Sequence, residues 1–252
     1  MIVFPSLFQK IKKNLENLLH NFFMEKINKL KFRLNKLFYF IFYERFNKKI
    51  NFNFDSNLSR IDLIKKIIVK KNFTSYLEIG CDNDRVFSKI RVPIKIGVDP
   101  VSGGNYRDTS DNFFKINKKN FDIIFIDGLH EYGQVLKDIT NSIKFLNNDG
   151  IILIHDTLPS SVHQQATLRY KKIWNGDVWK SIVNLRNRKD IDIVTCRIDH
   201  GVSLVQKKSN ENILNLKLSN FKKQLSFRDF YYNYKTYMRL MDYEEVLSYL
   251  KI

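Results

Sequence analysis

The chain has 252 residues, which is long enough for one α/β domain with a full core and an appendage. Its hydrophobic fraction of 44% and charged fraction of 27% exclude disorder throughout. The two cysteines exclude a disulfide framework or a cysteine metal knuckle and fit a reducing cytoplasm. A formal charge of +17 suggests a nucleic acid or an acidic membrane as partner, but a biased, lysine-rich composition with a solvated surface is the preferred explanation.

The start of the chain predicts neither export nor a membrane span. A basic region followed by an apolar core and a small-residue cleavage site is absent there, so no signal peptide is expected. The longest apolar run near the start covers residues 37–43, whereas a transmembrane helix needs about 20 residues. We therefore expect a cytoplasmic protein, either soluble or peripheral at the inner membrane face.

Residues 1–53 are predicted to form a basic amphipathic helical extension. They contain eleven lysines and arginines against three acids, and their apolar residues recur at helical spacing. Helices of this kind bind the surface of anionic membranes. The alternative is a helix that packs on the main domain or on a partner subunit of a homo-oligomer, with its lysines in water.

Strands and helices then alternate as far as Asp156. This alternation predicts an α/β fold for residues 54–210, with a doubly wound, mostly parallel sheet. The predicted strands cover residues 75–80, 93–99, 121–126 and 151–154, and a pair at 191–196 and 202–205 is expected to form an antiparallel edge. A turn is predicted at residues 147–150. Residues 211–252 are predicted to be a helical, aromatic-rich segment.

Polar side chains follow the two most apolar strands of this sheet. Asp127 and His130 come after residues 121–126, and Asp156 comes after residues 151–154. Because ligands of open α/β sheets bind beyond the carboxyl ends of the strands, we expect these side chains in a cleft. His130 is the candidate general base, since an imidazole titrates near neutral pH. Asp127 could instead cap the turn that follows it.

The loop after the first predicted strand indicates the cofactor. Gly80 ends that strand, and Asp99 follows nineteen residues later at the end of the next strand. Such an offset places a carboxylate on ribose hydroxyls. The loop lacks a glycine-rich phosphate motif, and Glu78, Asp82 and Asp84 would repel a pyrophosphate. It therefore favours S-adenosylmethionine, which carries a sulfonium and an ammonium group, over NAD.

These residues also carry a family resemblance. The segments SYLEIG, GVDP, FDIIFIDGLHEYGQVLKDI and DGIILIHDTLP resemble the class I S-adenosylmethionine-dependent methyltransferases. They are most similar to the bacterial branch with an I-D-G-x-H-x-Y signature, which is related to macrocin O-methyltransferases and often associated with sugar and polysaccharide genes. The resemblance covers about residues 75–205. It implies a Rossmann-like methyltransferase fold and a cofactor site formed by Glu78, Gly80, Asp99, Ser110, Asp111 and Asp127.

The resemblance gives each of these positions a role. It implies Glu78 and Gly80 at the methionine end of the cofactor, Asp99 at the ribose hydroxyls, and Ser110 and Asp111 near the adenine. Asp82 and Asp84 stand where the family usually has further glycines.

The resemblance also implies a metal alternative for the chemistry. Related O-methyltransferases hold a divalent cation with carboxylates at the positions of Asp127 and Asp156. Oxygen ligands would favour Mg²⁺, and the ion would lower the pKa of the acceptor hydroxyl. His155 is expected to orient its neighbours. Asp177 is expected either to orient the acceptor or to cap a helix that starts at Val178.

We therefore predict an S-adenosylmethionine-dependent methyltransferase that methylates a hydroxyl of a sugar or another small molecule. One alternative is a nucleic-acid methyltransferase, which the charge suggests, although the sequence has no D-P-P-Y motif. The other is a non-catalytic membrane-associated or scaffolding protein whose acidic loop no longer binds the cofactor.

Overall fold

The computed structural model describes residues 26, 27, 29–55 and 57–252. Its residues form two compact units: one contains the described residues up to 43 and residues 168–172, and the other contains residues 44–167 and 173–252. The domain boundaries predicted at residues 53 and 210 stay predictions. None of the helices in the described ranges combines the length and the apolar character that crossing a membrane requires.

The first unit contains helix α1, residues 29–42. The Tyr39 ring is buried, stacks on Tyr43 at 4.6 Å between centroids and lies 5.0 Å from the ring of Tyr170. The Asn35 side-chain amide donates a hydrogen bond of 2.9 Å to the carbonyl of Arg169. These contacts join the helix to residues 168–172. The part of the predicted basic extension before residue 26 lies outside the described residues.

The second unit is built on a seven-stranded sheet. Its strands are β1 (Ser75–Ile79), β2 (Ile94–Val98), β3 (Phe121–Ile126), β4 (Leu146–Ile154), β5 (Asp192–Cys196), β6 (Val202–Gln206) and β7 (Leu240–Met241). Their order is β2-β1-β3-β4-β6-β5-β7. Strands β1 to β4 are parallel, and β6 runs antiparallel to both β4 and β5. The predicted mostly parallel α/β fold is confirmed.

The remaining helices are α2 (Arg60–Lys71), α3 (Ser110–Ile116), α4 (Tyr132–Lys144), α5 (Val178–Leu185), α6 (Phe221–Gln224), α7 (Phe227–Met238) and α8 (Tyr243–Leu250). Helix α2 begins after Ser59 because the side chains of Ser59 and Asp62 each accept a hydrogen bond from the other's backbone N–H. Its buried face, which includes Leu63 and Ile67, belongs to the same core cluster as Ile123 of β3. Helix α2 therefore shares a hydrophobic core with the strands that position the site.

The turn predicted at residues 147–150 is wrong, because these residues belong to β4. Leu146 already pairs with Phe121 of β3, and a register shift before Ile123 absorbs the irregularity. The Asn147 side chain donates a 2.6 Å hydrogen bond to Oδ1 of Asp122 instead of closing a turn. Residues 147–150 are thus the extra residues of an irregularity within β4, between the pairs Phe121–Leu146 and Ile123–Ile151.

Register brings the ends of four strands together. Ile79 pairs with Val98 and with Ile126, and Ile126 pairs with Ile154. The residues that follow these four positions are Gly80, Asp99, Asp127 and His155. Because the strands are parallel, these residues emerge at one edge of the sheet.

Candidate active site

A cavity of about 640 Å³ lies at this edge of the sheet. It is lined by Ile79, Gly80, Asp82, Val98, Asp99, Pro100, Val101, Ser102, Thr109, Ser110, Asp111, Asp127, Gly128, Leu129, Gln134 and Asp138. Five of the six residues predicted to bind the cofactor are therefore in its wall. The volume lies in the range of small-molecule and cofactor sites.

Gly80 forms the tightest point of the cavity wall. Its φ is +86°, and a Cβ there would lie 2.4 Å from the carbonyl oxygen of Asp127 and from Cα of Gly128. The position therefore needs glycine both for its backbone conformation and for the close approach of β1 and β3. Both requirements exclude a side chain at this position.

Two aspartates occupy left-handed positions in the loop after Gly80. Asp82 has φ +47° and Asp84 has φ +59°, a region that glycine favours and that Asp tolerates better than most residues. Oδ1 of Asp84 accepts a 2.6 Å hydrogen bond from the backbone N–H of Gly104. The aspartates thus adopt the backbone conformation that glycines would supply, and Asp84 also fastens the neighbouring loop.

Asp99 holds two loops together through both carboxylate oxygens. Oδ2 accepts hydrogen bonds of 3.0 Å from the N–H groups of Cys81 and Asp82, and Oδ1 accepts bonds of 2.8 and 2.9 Å from Val101 and Ser102. Burial alone would raise the pKa of Asp99, but these four donors outweigh it and lower the pKa. A ribose hydroxyl would have to share an oxygen that already accepts two bonds, so the predicted ribose contact stays a prediction.

Glu78 lies apart from the other predicted cofactor residues. It is buried, accepts a hydrogen bond from the Tyr76 hydroxyl and is not among the residues that line the cavity. Burial raises its pKa to about 8, so the carboxyl group is mostly protonated at neutral pH in this arrangement. Its predicted contact with the methionine end stays a prediction.

Ser110 and Asp111 belong to a polar network with two residues of α4 that the sequence did not single out. The Ser110 hydroxyl donates a 2.6 Å hydrogen bond to Oδ1 of Asp138, and the Gln134 amide donates to Ser110, Asp111 and Asp138 at 3.0 to 3.2 Å. Burial raises the pKa of Asp138 to about 6. The available signal was the position of Asp138 beside Ile139, on the apolar face of the predicted helix.

A second group of charged side chains adjoins the cavity at Asp127. It contains the predicted Asp127, His130 and Asp156, together with His155 and two residues that the sequence did not reveal, Arg60 and Asp199. Nη1 of Arg60 lies 2.7 Å from Oδ2 of Asp199, and Nε of Arg60 lies 3.7 Å from Oδ2 of Asp127. We call these six residues the polar cluster. Its three carboxylates face one guanidinium and two imidazoles.

His155 is the buried centre of the polar cluster. Its Nδ1 lies 3.1 Å from Oδ1 of Asp127 and 3.3 Å from Oδ2 of Asp156, and its Nε2 lies 2.7 Å from the carbonyl oxygen of Asp199. Burial alone would lower the pKa of His155, but the two carboxylates raise it well above its ordinary value. Because both ring nitrogens face acceptors, we assign an imidazolium that orients Asp127.

His130 stands between two carboxylates. Its Nε2 lies 3.4 Å from Oδ1 of Asp127, and its Nδ1 lies 3.4 Å from Oδ2 of Asp156 and 3.2 Å from the carbonyl oxygen of Trp174. Burial lowers the pKa of His130, but the carboxylates outweigh this effect and raise it. The ring therefore holds its proton to a higher pH than an ordinary imidazole, and only the neutral ring can act as a base.

Residues 174–176, just before α5, pack against His130 and its neighbour Asp156. The Trp174 indole stacks on the imidazole at 4.8 Å between centroids, and Asn175 donates a 2.8 Å hydrogen bond to Oδ1 of Asp156. A Cβ at Gly176 would lie 1.8 Å from the carbonyl oxygen of His130. Asp177 occupies the N-cap position of α5, as one of the two alternatives predicted, but its Oδ1 accepts from the N–H of Tyr132 at 2.6 Å.

Three side chains of the polar cluster have the geometry of a cation site. One ligand atom each of Asp127, His130 and Asp156 lies within 4.8 Å of the others. Carboxylates are the preferred ligands of Mg²⁺ and Mn²⁺, and an imidazole is a good ligand for Fe²⁺. The residues present fit a divalent cation, and two of them are the predicted metal ligands.

Residues 79–157 match the family model described as a methyltransferase domain. The match covers less than half of the chain, and the matched segment contains the whole cavity wall as well as Asp127, His130 and Asp156. The finer resemblance to the macrocin O-methyltransferase branch stays a prediction. No curated protein sequence matches the chain.

Several solved structures have a similar fold. They include SAH-bound methyltransferase PaMTH1 from Podospora anserina (14% identity, 83% of this chain and 100% of that chain, TM-score 0.45). An O-methyltransferase from Bacillus cereus in complex with SAH has 9% identity over 62% of this chain and 85% of that chain, with a TM-score of 0.45. The O-methyltransferase TomG from Streptomyces achromogenes has 10% identity over 60% and 82%, with a TM-score of 0.45. At such low identities and scores, the ligands of those proteins imply nothing about this chain.

Proposed function

We propose that the protein transfers the methyl group of S-adenosylmethionine to a hydroxyl group of a small molecule, such as a sugar. The observation that carries this proposal is the position of Asp127, which lines the cavity and also belongs to the polar cluster. A ligand in the cavity would therefore end beside His130. Methyl transfer needs this arrangement, because donor and acceptor must meet in line.

The charge of the cavity supports the choice of cofactor. Its lining carries five aspartates, namely Asp82, Asp99, Asp111, Asp127 and Asp138. A dinucleotide would place its pyrophosphate among these carboxylates, and like charges repel. S-adenosylmethionine has no phosphate, and when bound it supplies an electrophilic methyl group on a positively charged sulfonium. The residues present therefore fit this cofactor better than NAD.

The polar cluster supplies candidates for the acceptor side of the reaction. A hydroxyl becomes a better nucleophile when its proton is removed, and a neutral His130 next to the cavity could accept that proton. His155 and Arg60 would keep Asp127 ionised and in a fixed orientation. In this proposal His130 is the base, and Asp127 positions both the base and the acceptor.

A divalent cation is the competing explanation of the same residues. Asp127, Asp156 and His130 would hold it, and the ion would polarise the acceptor hydroxyl and orient it. His130 could not then serve freely as a base, because its lone pair would face the ion. The two explanations differ in the role of His130, which is a base in one and a metal ligand in the other. They also differ in whether a chelator should remove activity.

A screen for the acceptor tests the proposed function. The purified chain would be incubated with methyl-labelled S-adenosylmethionine and a panel of free sugars, nucleotide-activated sugars and lipid-linked glycans. Label should appear in at least one acceptor, and Asp127→Asn should abolish transfer while Asp149→Asn, at an exposed position of β4, should not. If Asp127→Asn transfers label as fast as the wild type, the proposed site is wrong. Loss of activity with a chelator that added Mg²⁺ or Mn²⁺ restores would favour the cation, whereas activity that resists the chelator and is lost in His130→Gln would favour the base.

A further inference from the structure

Helix α1, together with the helical residue Ile27 just before it, exposes a set of large apolar side chains that the proposed catalysis does not use. Nine of them between positions 27 and 42 have exposed fractions between 37% and 70%: Ile27, Leu30, Phe32, Leu34, Leu37, Phe38, Phe40, Ile41 and Phe42. Scattered exposed apolar residues are ordinary, but a contiguous patch marks a surface that binds something.

Most of these side chains share one face. Ile27, Leu30, Leu34, Leu37 and Ile41 follow the three- and four-residue spacing of a helical stripe. Phe38, four residues after Leu34, widens that stripe. We call these six residues the apolar stripe. At roughly 100° per residue, the stripe covers an arc of about 100°.

The opposite face of α1 is the one that packs within its own unit. Tyr39 and Tyr43 project there, and Tyr39 is only 6% exposed through its contacts with Tyr43 and Tyr170. Asn35 fastens the helix to the carbonyl of Arg169. Packing onto residues 168–172 therefore uses the tyrosines and does not require the apolar stripe.

The charge beside the stripe narrows the choice of partner. Residues 26–43 contain Lys26, Lys29, Lys31, Arg33 and Lys36 and no acid. At the helical angle per residue, Lys26, Lys29, Arg33 and Lys36 occupy the arc next to the stripe. The occupant of this face must therefore be both apolar and negatively charged. In an anionic bilayer the negatively charged headgroups lie next to the apolar acyl boundary, just as the basic residues of the helix lie next to its apolar stripe.

We propose that α1 is a docking surface for an anionic phospholipid bilayer, with the apolar stripe in the acyl boundary and the lysines among the headgroups. A helix with an apolar stripe on one side and basic residues beside it lies in the plane of the interface, because only one face can be buried among the acyl chains. This proposal does not depend on the proposed methyltransferase activity.

Vesicle flotation of the full chain tests the docking surface. The wild type should float with vesicles of phosphatidylcholine containing about 30% phosphatidylglycerol, but not with pure phosphatidylcholine, and high salt should weaken binding because it screens the lysines. Leu34→Asp with Ile41→Asp should reduce binding at least about tenfold, and Lys29→Glu with Arg33→Glu should do so as well.

Matched controls on α2 separate these effects from a general change of surface. Val69→Asp and Lys65→Glu alter exposed residues of the same types and should leave flotation unchanged. Absence of wild-type binding to the anionic vesicles would overturn the proposal, as would wild-type binding strength in both double variants of α1. A dimer in light scattering that Leu34→Asp converts to a monomer, with no vesicle binding by the wild type, would assign the stripe to a second copy of the chain instead.

Discussion

Nδ1 of His155 lies 3.1 Å from Oδ1 of Asp127, and this contact joins the buried centre of the polar cluster to the wall of the cavity. The other ring nitrogen faces the carbonyl oxygen of Asp199 at 2.7 Å. His155 is therefore held from both sides and fixes Asp127 in turn. Any role of Asp127 in positioning an acceptor or a cation depends on this buried imidazolium.

Removing the His155 imidazole should destabilise the fold. Asp127, Asp156 and Asp199 would lose a buried cation, so His155→Asn is expected to lower the free energy of unfolding at pH 6 by about 3 kcal/mol. Urea denaturation measures this difference. His163→Asn, at a half-buried position outside the polar cluster, serves as the control and should cost much less.

The same pair predicts how stability depends on pH. Because the pKa of His155 is raised in the folded state, its contribution is fully present below its unfolded pKa of about 6.5 and is lost as the pH rises through the folded pKa. The wild type should therefore lose more stability than His155→Asn between pH 6 and high pH. Parallel pH curves for the two proteins would contradict an imidazolium at this position.

The two left-handed aspartates give a matched pair of variants. Asp84→Gly removes the acceptor of the Gly104 N–H and should lower the free energy of unfolding by about 1 to 2 kcal/mol. Asp82→Gly keeps the favoured backbone conformation and removes only an exposed side chain, so its effect should stay within about 0.5 kcal/mol. Chemical denaturation would distinguish them. Equal effects would mean that the Asp84 hydrogen bond does not fasten the loops.

Asp138 should make the protein less stable as the pH rises. Its folded pKa of about 6 lies above the ordinary value of 3.8, so the folded state holds the proton more tightly and stability declines as the pH rises from about 4 through 6. Asp138→Asn should lack this decline and be more stable than the wild type at pH 7.5, by about 3 kcal/mol. A stability difference that is the same at pH 4.5 and 7.5 would refute the raised pKa.

If His130 is the base, the reaction should slow in acid. The pKa of His130 is raised above 6.5, and only the neutral ring accepts a proton, so kcat/KM should rise with pH through an apparent pKa above that value. The measurement uses the acceptor that the screen identifies. His130→Gln should remove this limb of the profile. A wild-type profile without it would assign proton removal to another group.

The local parts of the site could be predicted from the sequence. The buried strand β3 ends before Asp127 because its apolar run stops there, and parallel register then places Asp127 beside Gly80, with Asp99 on the other side of Gly80. These conclusions need only strand pattern and the geometry of parallel sheets.

The partners that complete the polar cluster could not be predicted in this way. Arg60 and Asp199 are 139 positions apart and meet only because α2 packs beside the loop between β5 and β6. Asn175 reaches Asp156 from an irregular segment with no periodic pattern. Contacts of this kind depend on tertiary packing, and no short-range signal in the chain indicates them.

The contrast between Asp127 and Asp99 shows a further limit. Both carboxylates were placed in the cleft by their position after a strand, and both line it. The sequence gives no sign that four backbone N–H groups converge on Asp99, because the loops that supply them are irregular. The position of each carboxylate could be predicted, but the hydrogen bonds that its oxygens accept could not.

Calorimetric titration with S-adenosylmethionine tests the central claim most directly. The account predicts saturable binding with a Kd between about 1 μM and 1 mM, the range in which enzymes commonly hold their substrates, and no binding of NAD. Asp99→Asn should weaken the binding at least about tenfold, because an amide can accept fewer of the four N–H bonds that shape the cavity wall. Absence of heat with S-adenosylmethionine at about 1 mM, or saturable binding of NAD instead, would contradict the account.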